Sequence, residues 1–431
     1  MIVTISPSGI SGNIYAPASK SSMQRACAAA LLSNGETIIT NAGKSNDDLA
    51  ALNVIQKLGA VVTPLSNNKL LIKGRDFALN SSPNRRGLER VINCGESGLG
   101  LRMFAPIAAL SDHEIILNGS GSLLQRPMHF FDEIFPQLGI SIKSNNGKLR
   151  IKIKGPLLPQ NISIDGSLSS QFLTGLLMAY AKACKVPVSI KVENLKSKPY
   201  IDLTLHVLRH FGWHVENRDY KEFFFDPIHN SQLATRTYIV ECDWSSASFL
   251  LVAGAIAGNI SVEGLDIESA QADKAIIKAL KIAGAEISFS GNKISIHANK
   301  LVGFDFDATD CPDLFPPLVA LAAYCKGTTI IKGVNRLAHK ESNRALTLKN
   351  EFEKMGVTIL LQNDVMVVEG KKKPVGATVH SHHDHRIAMA CAVAALQAEG
   401  ETIILEAEAI NKSYPDFYYH LKSLNTSLQI T

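Results

Sequence analysis

The stretch CDWSSASFLLVAGAIAGNISVEGLDIESAQADKAIIKALKIAGAEISFSGNKISIHA, residues 242–298, holds one complete structural repeat. Its first segment is apolar on nearly all sides, which predicts a buried helix, and the short strand ISVE follows at Ile260. IIKALKIAG from Ile276 predicts a second, amphipathic helix that ends at Gly284, and a strand-turn-strand comes after it. The order of elements therefore predicts an α/β repeat.

The same order recurs six times along the 431 residues. Glycines at the ends of five second helices are separated by 80, 73, 72 and 72 residues, which is the signature of an internal repeat. A chain of this length exceeds what one hydrophobic core supports, so we expect more than one domain. The glycines are Gly59, Gly139, Gly212, Gly284 and Gly356.

The two ends of the chain indicate how the repeats are grouped. The sixth repeat stops after PDFYYHLKSL from Pro415 without a strand pair, whereas IVTISPSGISGNIYAP (Ile2 to Pro17) is a strand-turn-strand with no helix before it. We expect the N-terminus to complete the sixth repeat, which gives three repeats in each of two domains. The predicted domains are residues 1–18 with 242–431, and residues 19–241, with a hinge near 18–20 and 240–242. Two crossings without a long linker predict closure on a ligand.

Charge and hydropathy exclude several classes of protein. Lys and Arg number 44 against 39 Asp and Glu, and this surplus of +5 is scattered, so we expect small anionic ligands and no nucleic acid. No apolar run approaches the roughly 18 to 20 residues of a membrane span, and MIVTISPSG lacks the pattern of a signal peptide. We expect a cytoplasmic protein without membrane contact.

Cysteine and histidine give little support for a metal. The seven cysteines are dispersed and form no CxxC pair, so neither a disulfide framework nor a zinc site is indicated. HSHHDHR (His380 to Arg386) is the alternative metal-binding stretch, but a second group of ligands is missing and Arg386 would repel a cation. We expect no metal.

Polar and cationic residues gather where the apolar helices begin. A helix N-terminus carries unpaired N–H groups and about half a positive charge, which favours anions. Serine or aspartate there is explained by capping, and we assign Asp243 mainly to that role. Capping needs no cation, however, so the recurrence of Lys and Arg at these starts and in the loops before the second helices predicts a shared site for phosphate or carboxylate.

Eight motifs at these places together resemble the EPSP synthase (3-phosphoshikimate 1-carboxyvinyltransferase) family. The resemblance spans essentially the whole chain. It implies an α/β fold, the two-domain inverse α/β barrel, with six βαβαββ repeats arranged three per domain around buried helices. The motifs are ASKSSMQR (Ala18 to Arg25), GESGLGLR (Gly95 to Arg102), QRPM around Arg126, SLSSQF around Ser169, SKPY (Ser197 to Tyr200), HKESNR (His339 to Arg344), DHRIAMA from Asp384 and KSYPDF from Lys412.

The resemblance implies transfer of the enolpyruvyl group of phosphoenolpyruvate to the 5-hydroxyl of shikimate 3-phosphate, by a monomer without cofactor or metal. It implies that phosphoenolpyruvate is held by Lys20, Gly98, Arg126, Gln171, Arg344, Arg386 and Lys412. It implies that shikimate 3-phosphate is held by Lys20, Ser21, Arg25, Ser169, Ser170, Gln171, Ser197, Tyr200, Asp313 and Lys340. The implied catalytic residues are Asp313, Glu341 and Lys20.

Some positions depart from the family pattern. Glu96 and Leu99 stand where the family usually has Asn and Thr, and Arg336 where some members have Asn. A carboxylate at Glu96 weakens anion binding unless it points away or meets a cation. Glu341 also has a plain alternative role, an ion pair with Arg344 three residues on.

Two other functions stay open. The UDP-N-acetylglucosamine enolpyruvyl transferases share this fold, but their mobile loop carries a Cys shortly before an Arg-Pro pair, and GSGSLLQRP (Gly119 to Pro127) has none. An inactive protein that binds phosphorylated small molecules is the second alternative, and Glu96 is the residue that favours it.

Overall fold

The computed structural model describes residues 1–74, 90–230, 235–338 and 340–431. His339, the first residue of the HKESNR motif, lies outside the described residues. The chain divides into two compact units, Lys20–Val240 and Met1–Ser19 with Glu241–Thr431. The sequence analysis placed these limits one residue away, at 18 and 242, and the hinge motion stays a prediction.

The unit Lys20–Val240 alternates helices and short strands. Its helices are α1 (Lys20–Leu32), α2 (Asn46–Lys57), α3 (Gly98–Ala108), α4 (His129–Ile134), α5 (Ser170–Ala183) and α6 (Lys198–His210). Its strands are β3 (Glu36–Thr40), β4 (Val61–Leu65), β5 (Lys69–Lys73), β6 (Arg90–Asn93), β7 (Glu114–Asn118), β8 (Ser141–Asn145), β9 (Lys148–Lys154), β10 (Ile162–Asp165), β11 (Val188–Glu193), β12 (Val215–Arg218), β13 (Glu222–Phe225) and β14 (Thr235–Ile239).

The other unit repeats this arrangement and includes both ends of the chain. Its helices are α7 (Trp244–Ala257), α8 (Ile276–Ile282), α9 (Phe315–Ala322), α10 (Arg344–Lys354), α11 (His385–Ala395) and α12 (Phe417–Ser423). Its strands are β1 (Ile2–Ile5), β2 (Ile10–Tyr15), β15 (Gly258–Glu263), β16 (Glu286–Ser290), β17 (Lys293–His297), β18 (Asp305–Asp307), β19 (Gly327–Lys332), β20 (Thr358–Gln362), β21 (Val365–Gly370), β22 (Thr378–His380), β23 (Thr402–Leu405) and β24 (Leu428–Ile430).

Buried helices form the centre of each unit. α1, α3 and α5 pack on one another in the first unit, and α7, α9 and α11 do so in the second. Gly175 of α5 allows one close crossing, because an added Cβ would lie 2.6 Å from the carbonyl oxygen of Arg102 on α3. Strands such as β9 alternate buried and exposed residues, as Leu149 and Arg150 do, so one face of such a strand is turned to the core.

Within the described residues, the strands form six four-stranded sheets, and each sheet contains a parallel pair. In some sheets a buried helix connects the two strands of this pair, as α5 connects β10 and β11. In others one strand of the pair comes from a distant part of the chain, as β2 does beside β15. The prediction that both N-terminal strands complete the sixth repeat is wrong for one of them. β1 pairs with β23 and with the C-terminal strand β24, whereas β2 pairs in parallel with β15 of the fourth repeat.

The physical reason lies in the crossings of the chain. A buried helix that follows a strand returns to a parallel neighbour of that strand. α7 follows β14 directly along the chain, but β14 belongs to the unit Lys20–Val240 and pairs there with β3. β2 therefore supplies the leading strand that α7 and β15 lack.

None of the helices that the structure describes combines the length and the apolar character that crossing a bilayer requires.

Candidate active site

Lys20 is the first residue of α1, and its ammonium group meets a carboxylate from the neighbouring helix. Its Nζ lies 2.9 Å from Oδ2 of Asp47, which belongs to the first turn of α2 and is almost fully buried. Asp47 was not among the predicted site residues. The pair fixes the position of Lys20 at the N-terminus of α1, where the helix dipole favours an anion.

Arg25 lies one turn further along α1 and joins three helices, since it reaches α6 and also donates to Thr174 Oγ1 on α5 at 3.5 Å. Its side chain is 1% exposed, and its guanidinium donates to Thr204 Oγ1 on α6 at 2.9 Å. It also donates to the carbonyl oxygens of Ser21 at 2.8 Å and Tyr200 at 3.2 Å. The structure therefore brings the predicted residues Ser21, Arg25 and Tyr200 together at the starts of α1 and α6.

Gly98 leaves room for an arginine at the start of α3. An added Cβ on Gly98 would lie 2.5 Å from Nη1 of Arg126 and 3.7 Å from Nη1 of Arg102. Ser97 caps this helix by accepting a hydrogen bond from the Gly100 N–H at 3.0 Å. Two largely buried guanidinium groups thus lie beside a helix N-terminus, a combination that suits a phosphate or carboxylate.

Arg102 connects α3 with the start of α5. Its Nη1 donates to Oε1 of Gln171 at 2.9 Å, and its guanidinium stacks 4.9 Å from the ring centre of Phe172. Ser169 caps α5 by accepting from the Gln171 N–H at 3.3 Å, and Ser170 is buried beside it. The set of residues predicted to hold phosphoenolpyruvate omits Arg102, although the sequence places it with the other cations at helix starts.

In the second unit, Arg344 is surrounded by carboxylates. Its Nε donates to Oδ2 of Asp384 at 3.0 Å, and its Nη2 donates to Oδ1 of the same residue at 3.2 Å. Nη1 lies 2.8 Å from Oδ1 of Asp313, and Nη2 lies 2.5 Å from Oε2 of Glu341. Burial lowers the pKa of Arg344, but Asp384, Glu341 and Asp313 outweigh it and raise that pKa, so the guanidinium stays charged.

Asp313 is the point on which the cations of this unit converge. It lies in a turn of 3₁₀ helix directly before α9. Lys340 Nζ is 3.1 Å from its Oδ1, and Arg386 Nη2 is 3.3 Å from its Oδ2. Burial raises the pKa of Asp313, but Arg386, Lys340 and Arg344 together hold it well below its usual range. Asp313 is therefore a carboxylate at neutral pH.

Glu341 and Lys412 complete this group. Lys412 Nζ lies 3.7 Å from Oε1 of Glu341, whose other oxygen meets Arg344. The alternative ion pair of Glu341 with Arg344 is thus present, although Glu341 precedes α10 and is not part of that helix. Burial lowers the pKa of Lys340, and the neighbouring Arg344 lowers it further against the opposing effect of Asp313.

The sequence matches one protein family over nearly its whole length. The family described as EPSP synthase (3-phosphoshikimate 1-carboxyvinyltransferase) matches residues 5–421. The chain belongs to the EPSP synthase family. It is 37% identical over 417 residues to the 3-phosphoshikimate 1-carboxyvinyltransferase of Clostridium novyi (strain NT), covering 96% of this chain and 95% of that protein. It is also 37% identical over 427 residues to the enzyme of that name from Clostridium acetobutylicum, covering 98% and 97% of the two chains.

Solved structures agree with this membership. An EPSP synthase from Acinetobacter baumannii superposes with a TM-score of 0.81 at 25% identity, over 100% of this chain and 99% of that one. The enolpyruvyl transferase NikO from Streptomyces tendae superposes with a TM-score of 0.78 at 17% identity, over 100% and 98%, and shows the likeness of fold alone. The predicted two-domain inverse α/β barrel is confirmed.

The structure shows the surroundings of two residues that depart from the EPSP synthase pattern, Glu96 and Arg336. The carboxylate of Glu96 lies against Gly121, since a Cβ added at Gly121 would be 2.4 Å from Glu96 Cδ. A Cβ added at Gly98 would instead meet the guanidinium of Arg126. Arg336 is partly buried, which lowers its pKa, while Asp310 and Asp313 favour its charged form. It therefore adds a cation to the surroundings of Asp313.

The histidine stretch of this EPSP synthase family member makes local contacts with carboxylates. His380 and His383 lie 3.5 and 3.1 Å from Oε2 of Glu406, and His382 lies 2.8 Å from Oε1 of Glu351. Asp384 instead caps α11 by accepting from the Arg386 N–H at 3.0 Å. In the described part of the chain, no group of three or more His, Cys, Asp or Glu side chains is arranged to hold a metal ion.

Proposed function

We propose that this protein transfers the enolpyruvyl group of phosphoenolpyruvate to the 5-hydroxyl of shikimate 3-phosphate and releases phosphate. Membership of the EPSP synthase family over residues 5–421 carries this conclusion. The cation clusters support it, because both substrates are anions with phosphate and carboxylate groups. The substrate contacts proposed for this chain are the two sets of residues given in the sequence analysis.

The reaction proceeds by addition and then elimination. In the addition, a proton reaches the vinyl methylene of phosphoenolpyruvate while the hydroxyl oxygen bonds to the neighbouring carbon and loses its own proton. In the elimination, the new methyl group gives up a proton and the carbon–oxygen bond to phosphate breaks. Asp313, which is ionised, accepts the hydroxyl proton, and Glu341 serves the transfers at the methylene carbon.

The cations act on the charges of the substrates and the leaving group. Arg344, Arg386 and Lys412 bind phosphoenolpyruvate and stabilise the departing phosphate. When Arg344 and Lys412 bind substrate anions, their contacts with Glu341 weaken, and the protonated form of Glu341 becomes more favourable. Lys20 and Arg126 supply positive charge for the substrate anions at the starts of α1 and α3.

The test is ³¹P NMR of the purified protein mixed with both substrates. The phosphoenolpyruvate signal should be replaced by inorganic phosphate, while the phosphate of shikimate 3-phosphate stays bonded to its ring. Loss of phosphate from the shikimate ring, or no reaction, would reject the proposal. We further propose that the protein acts as a monomer in the cytoplasm, which size-exclusion chromatography with light scattering and cell fractionation would check.

A further inference from the structure

Glu351 is a buried carboxylate that the proposed mechanism does not use. It lies on α10, seven residues after Arg344, and 1% of it is exposed. Seven residues make about two turns of an α-helix, so Glu351 and Arg344 project from the same side of α10. Burial raises the pKa of Glu351, but hydrogen bonds and the Lys354 ammonium outweigh it and lower that pKa, so Glu351 is ionised at neutral pH.

The two oxygens of Glu351 hold the segment that leads into α11. Oε2 accepts a hydrogen bond from the backbone N–H of His380 at 2.8 Å, and Oε1 lies 2.8 Å from Nε2 of His382. Lys354, three residues further along α10, donates to the two oxygens at 2.9 and 2.7 Å. Glu351 therefore joins α10 to the residues directly before Asp384.

His382 and His383 have a backbone conformation that depends on contacts of this kind. Their φ angles are 52° and 56°, in the left-handed region that residues with a side chain seldom adopt. Such a conformation persists where the surrounding structure fixes it. The His382 N–H donates to Nδ1 of His380 at 2.9 Å, and the His383 N–H donates to Oγ of Ser381 at 3.2 Å. The contacts with Glu351 and these local hydrogen bonds together hold the turn.

A second carboxylate, Glu406, also contacts this turn. Its Oε2 lies 3.1 Å from Nδ1 of His383 and 3.5 Å from Nε2 of His380. The side chains of Glu406 and His383 are 35% and 75% exposed, and exposed pairs contribute little. The buried Glu351 is therefore the stronger anchor of the turn.

The turn places Asp384 against Arg344. The Asp384 N–H donates to the carbonyl oxygen of Ser381 at 2.9 Å, so the position of Asp384 follows that of the turn. The Asp384 carboxylate accepts from Nε and Nη2 of Arg344 at 3.0 and 3.2 Å. The segment before α11 is thus fixed to α10 at two points, Glu351 and Arg344.

We propose that Glu351 is a positioning residue for the phosphoenolpyruvate site. It holds the turn of residues 380–383, the turn holds Asp384, and Asp384 orients the guanidinium of Arg344. Glu351 acts through these residues and needs no contact with either substrate. The inference rests on the proposed function, in which Arg344 holds phosphoenolpyruvate.

Glu351→Ala tests this role by removing both contacts with the turn. The KM for phosphoenolpyruvate should rise by about 10- to 100-fold, the effect of losing a group that orients a binding residue. The KM for shikimate 3-phosphate should change far less, because most of the residues proposed to hold it belong to the unit Lys20–Val240. Glu351→Gln keeps an acceptor for the His380 N–H and should give an intermediate KM for phosphoenolpyruvate.

Glu353→Ala is the matched control, since Glu353 is an exposed glutamate of the same helix that pairs with Lys349. Both of its KM values should equal those of wild type. His382→Ala removes only the ring contact and leaves the ion pair of Glu351 with Lys354 in place. It should raise the KM for phosphoenolpyruvate by a smaller factor, and this rise decides the question if Glu351→Ala does not fold.

An NMR signal reports the same effect without turnover. The Arg344 Nε–H is buried and donates to Oδ2 of Asp384 at 3.0 Å, so its ¹H–¹⁵N signal should exchange slowly with solvent. The signal is assigned by its absence in Arg344→Lys. In Glu351→Ala it should shift and exchange faster, whereas Glu353→Ala should leave it in place.

The outcomes separate this inference from the proposed function. A wild-type protein that releases no phosphate with shikimate 3-phosphate would contradict the function, and the Arg344 signal would then still test Glu351. A folded Glu351→Ala variant with the wild-type KM for phosphoenolpyruvate and an unchanged Arg344 signal would overturn the role of Glu351 alone. A parallel rise in both KM values would overturn it as well, since it would indicate a general loss of structure.

Discussion

Arg344 and Asp384 form a two-point ion pair in which neither side chain has exposed surface. Nε and Nη2 of the arginine lie 3.0 and 3.2 Å from the two carboxylate oxygens. The same carboxylate caps α11 through the N–H of Arg386. One buried aspartate thus orients the side chain of Arg344 and caps the helix that carries Arg386. Both arginines are predicted to hold phosphoenolpyruvate.

Asp384→Asn should therefore affect both stability and substrate binding. It leaves Arg344 with one bond to this side chain instead of two and removes one of its buried countercharges, which should lower the free energy of unfolding by about 3 kcal/mol. The KM for phosphoenolpyruvate should rise as well, since Arg344 loses part of its orientation. Urea unfolding and steady-state kinetics measure the two effects.

The control is Glu353→Gln, which breaks the exposed pair of Glu353 with Lys349. Exposed pairs contribute little, so its free energy of unfolding should change by less than about 0.5 kcal/mol. Equal unfolding curves for Asp384→Asn and wild type, with equal KM values, would show that the pair does not hold the site together.

Gly98→Ala should act on Arg126. The added methyl group would lie 2.5 Å from Nη1 of Arg126, so the guanidinium must move. Loss of one charge-assisted hydrogen bond corresponds to an increase in KM for phosphoenolpyruvate of about 10- to 100-fold. Gly9→Ala, whose Cβ would meet its nearest atom at 3.5 Å, is the control. An unchanged KM in Gly98→Ala would mean that Arg126 does not bind this substrate.

Asp313→Ala should lower kcat by about 10² to 10⁴, because a proton-transfer group is removed. The KM for phosphoenolpyruvate should not rise, since Arg344 and Arg386 lose a competing carboxylate. Circular dichroism would establish that the fold is intact. Asp307→Ala, which breaks an exposed pair with Lys332, should keep wild-type kcat. A normal kcat in Asp313→Ala would remove this residue from the mechanism.

Asp48 predicts a dependence of stability on pH. Burial raises its pKa to about 6, against the hydrogen bonds from Ser45. A folded-state pKa above the unfolded value means that the folded protein binds the extra proton between about pH 4 and 6, so this contribution to stability is present below pH 4 and is lost as pH rises through 6. Asp48→Asn keeps an acceptor for Ser45 but cannot ionise. As the pH rises through 6, its free energy of unfolding should therefore fall by about 1 to 3 kcal/mol less than that of wild type.

Urea midpoints at pH 4.5 and 7.5 measure this difference. Glu268→Gln, at an exposed position, should keep the pH dependence of wild type. A parallel pH dependence in Asp48→Asn and wild type would show that Asp48 is ionised at the same pH in the folded and unfolded states.

Much of the fold was predictable because it is local. Apolar runs such as that of α7, and glycines such as Gly284 at the ends of second helices, mark the elements in the sequence itself. The partner of β2 was not predictable in this way. Its pairing with β15 joins distant parts of the chain, and the alternation of side chains does not specify which distant edge a strand meets.

The cations of the site were predictable because capping does not require them. The carboxylates that orient them were not, since Asp47 and Asp384 at helix starts have the appearance of ordinary caps. Asp384 is indeed a cap, and only its second contact with Arg344 gives it a further role.

The most direct test of the proposed function is the rate of phosphate release from phosphoenolpyruvate with each of two acceptors. Shikimate 3-phosphate should support continuous release that stops when the acceptor is consumed, and UDP-N-acetylglucosamine should support none above the rate without acceptor. Faster release with UDP-N-acetylglucosamine, or tight binding of shikimate 3-phosphate without any release, would contradict the account.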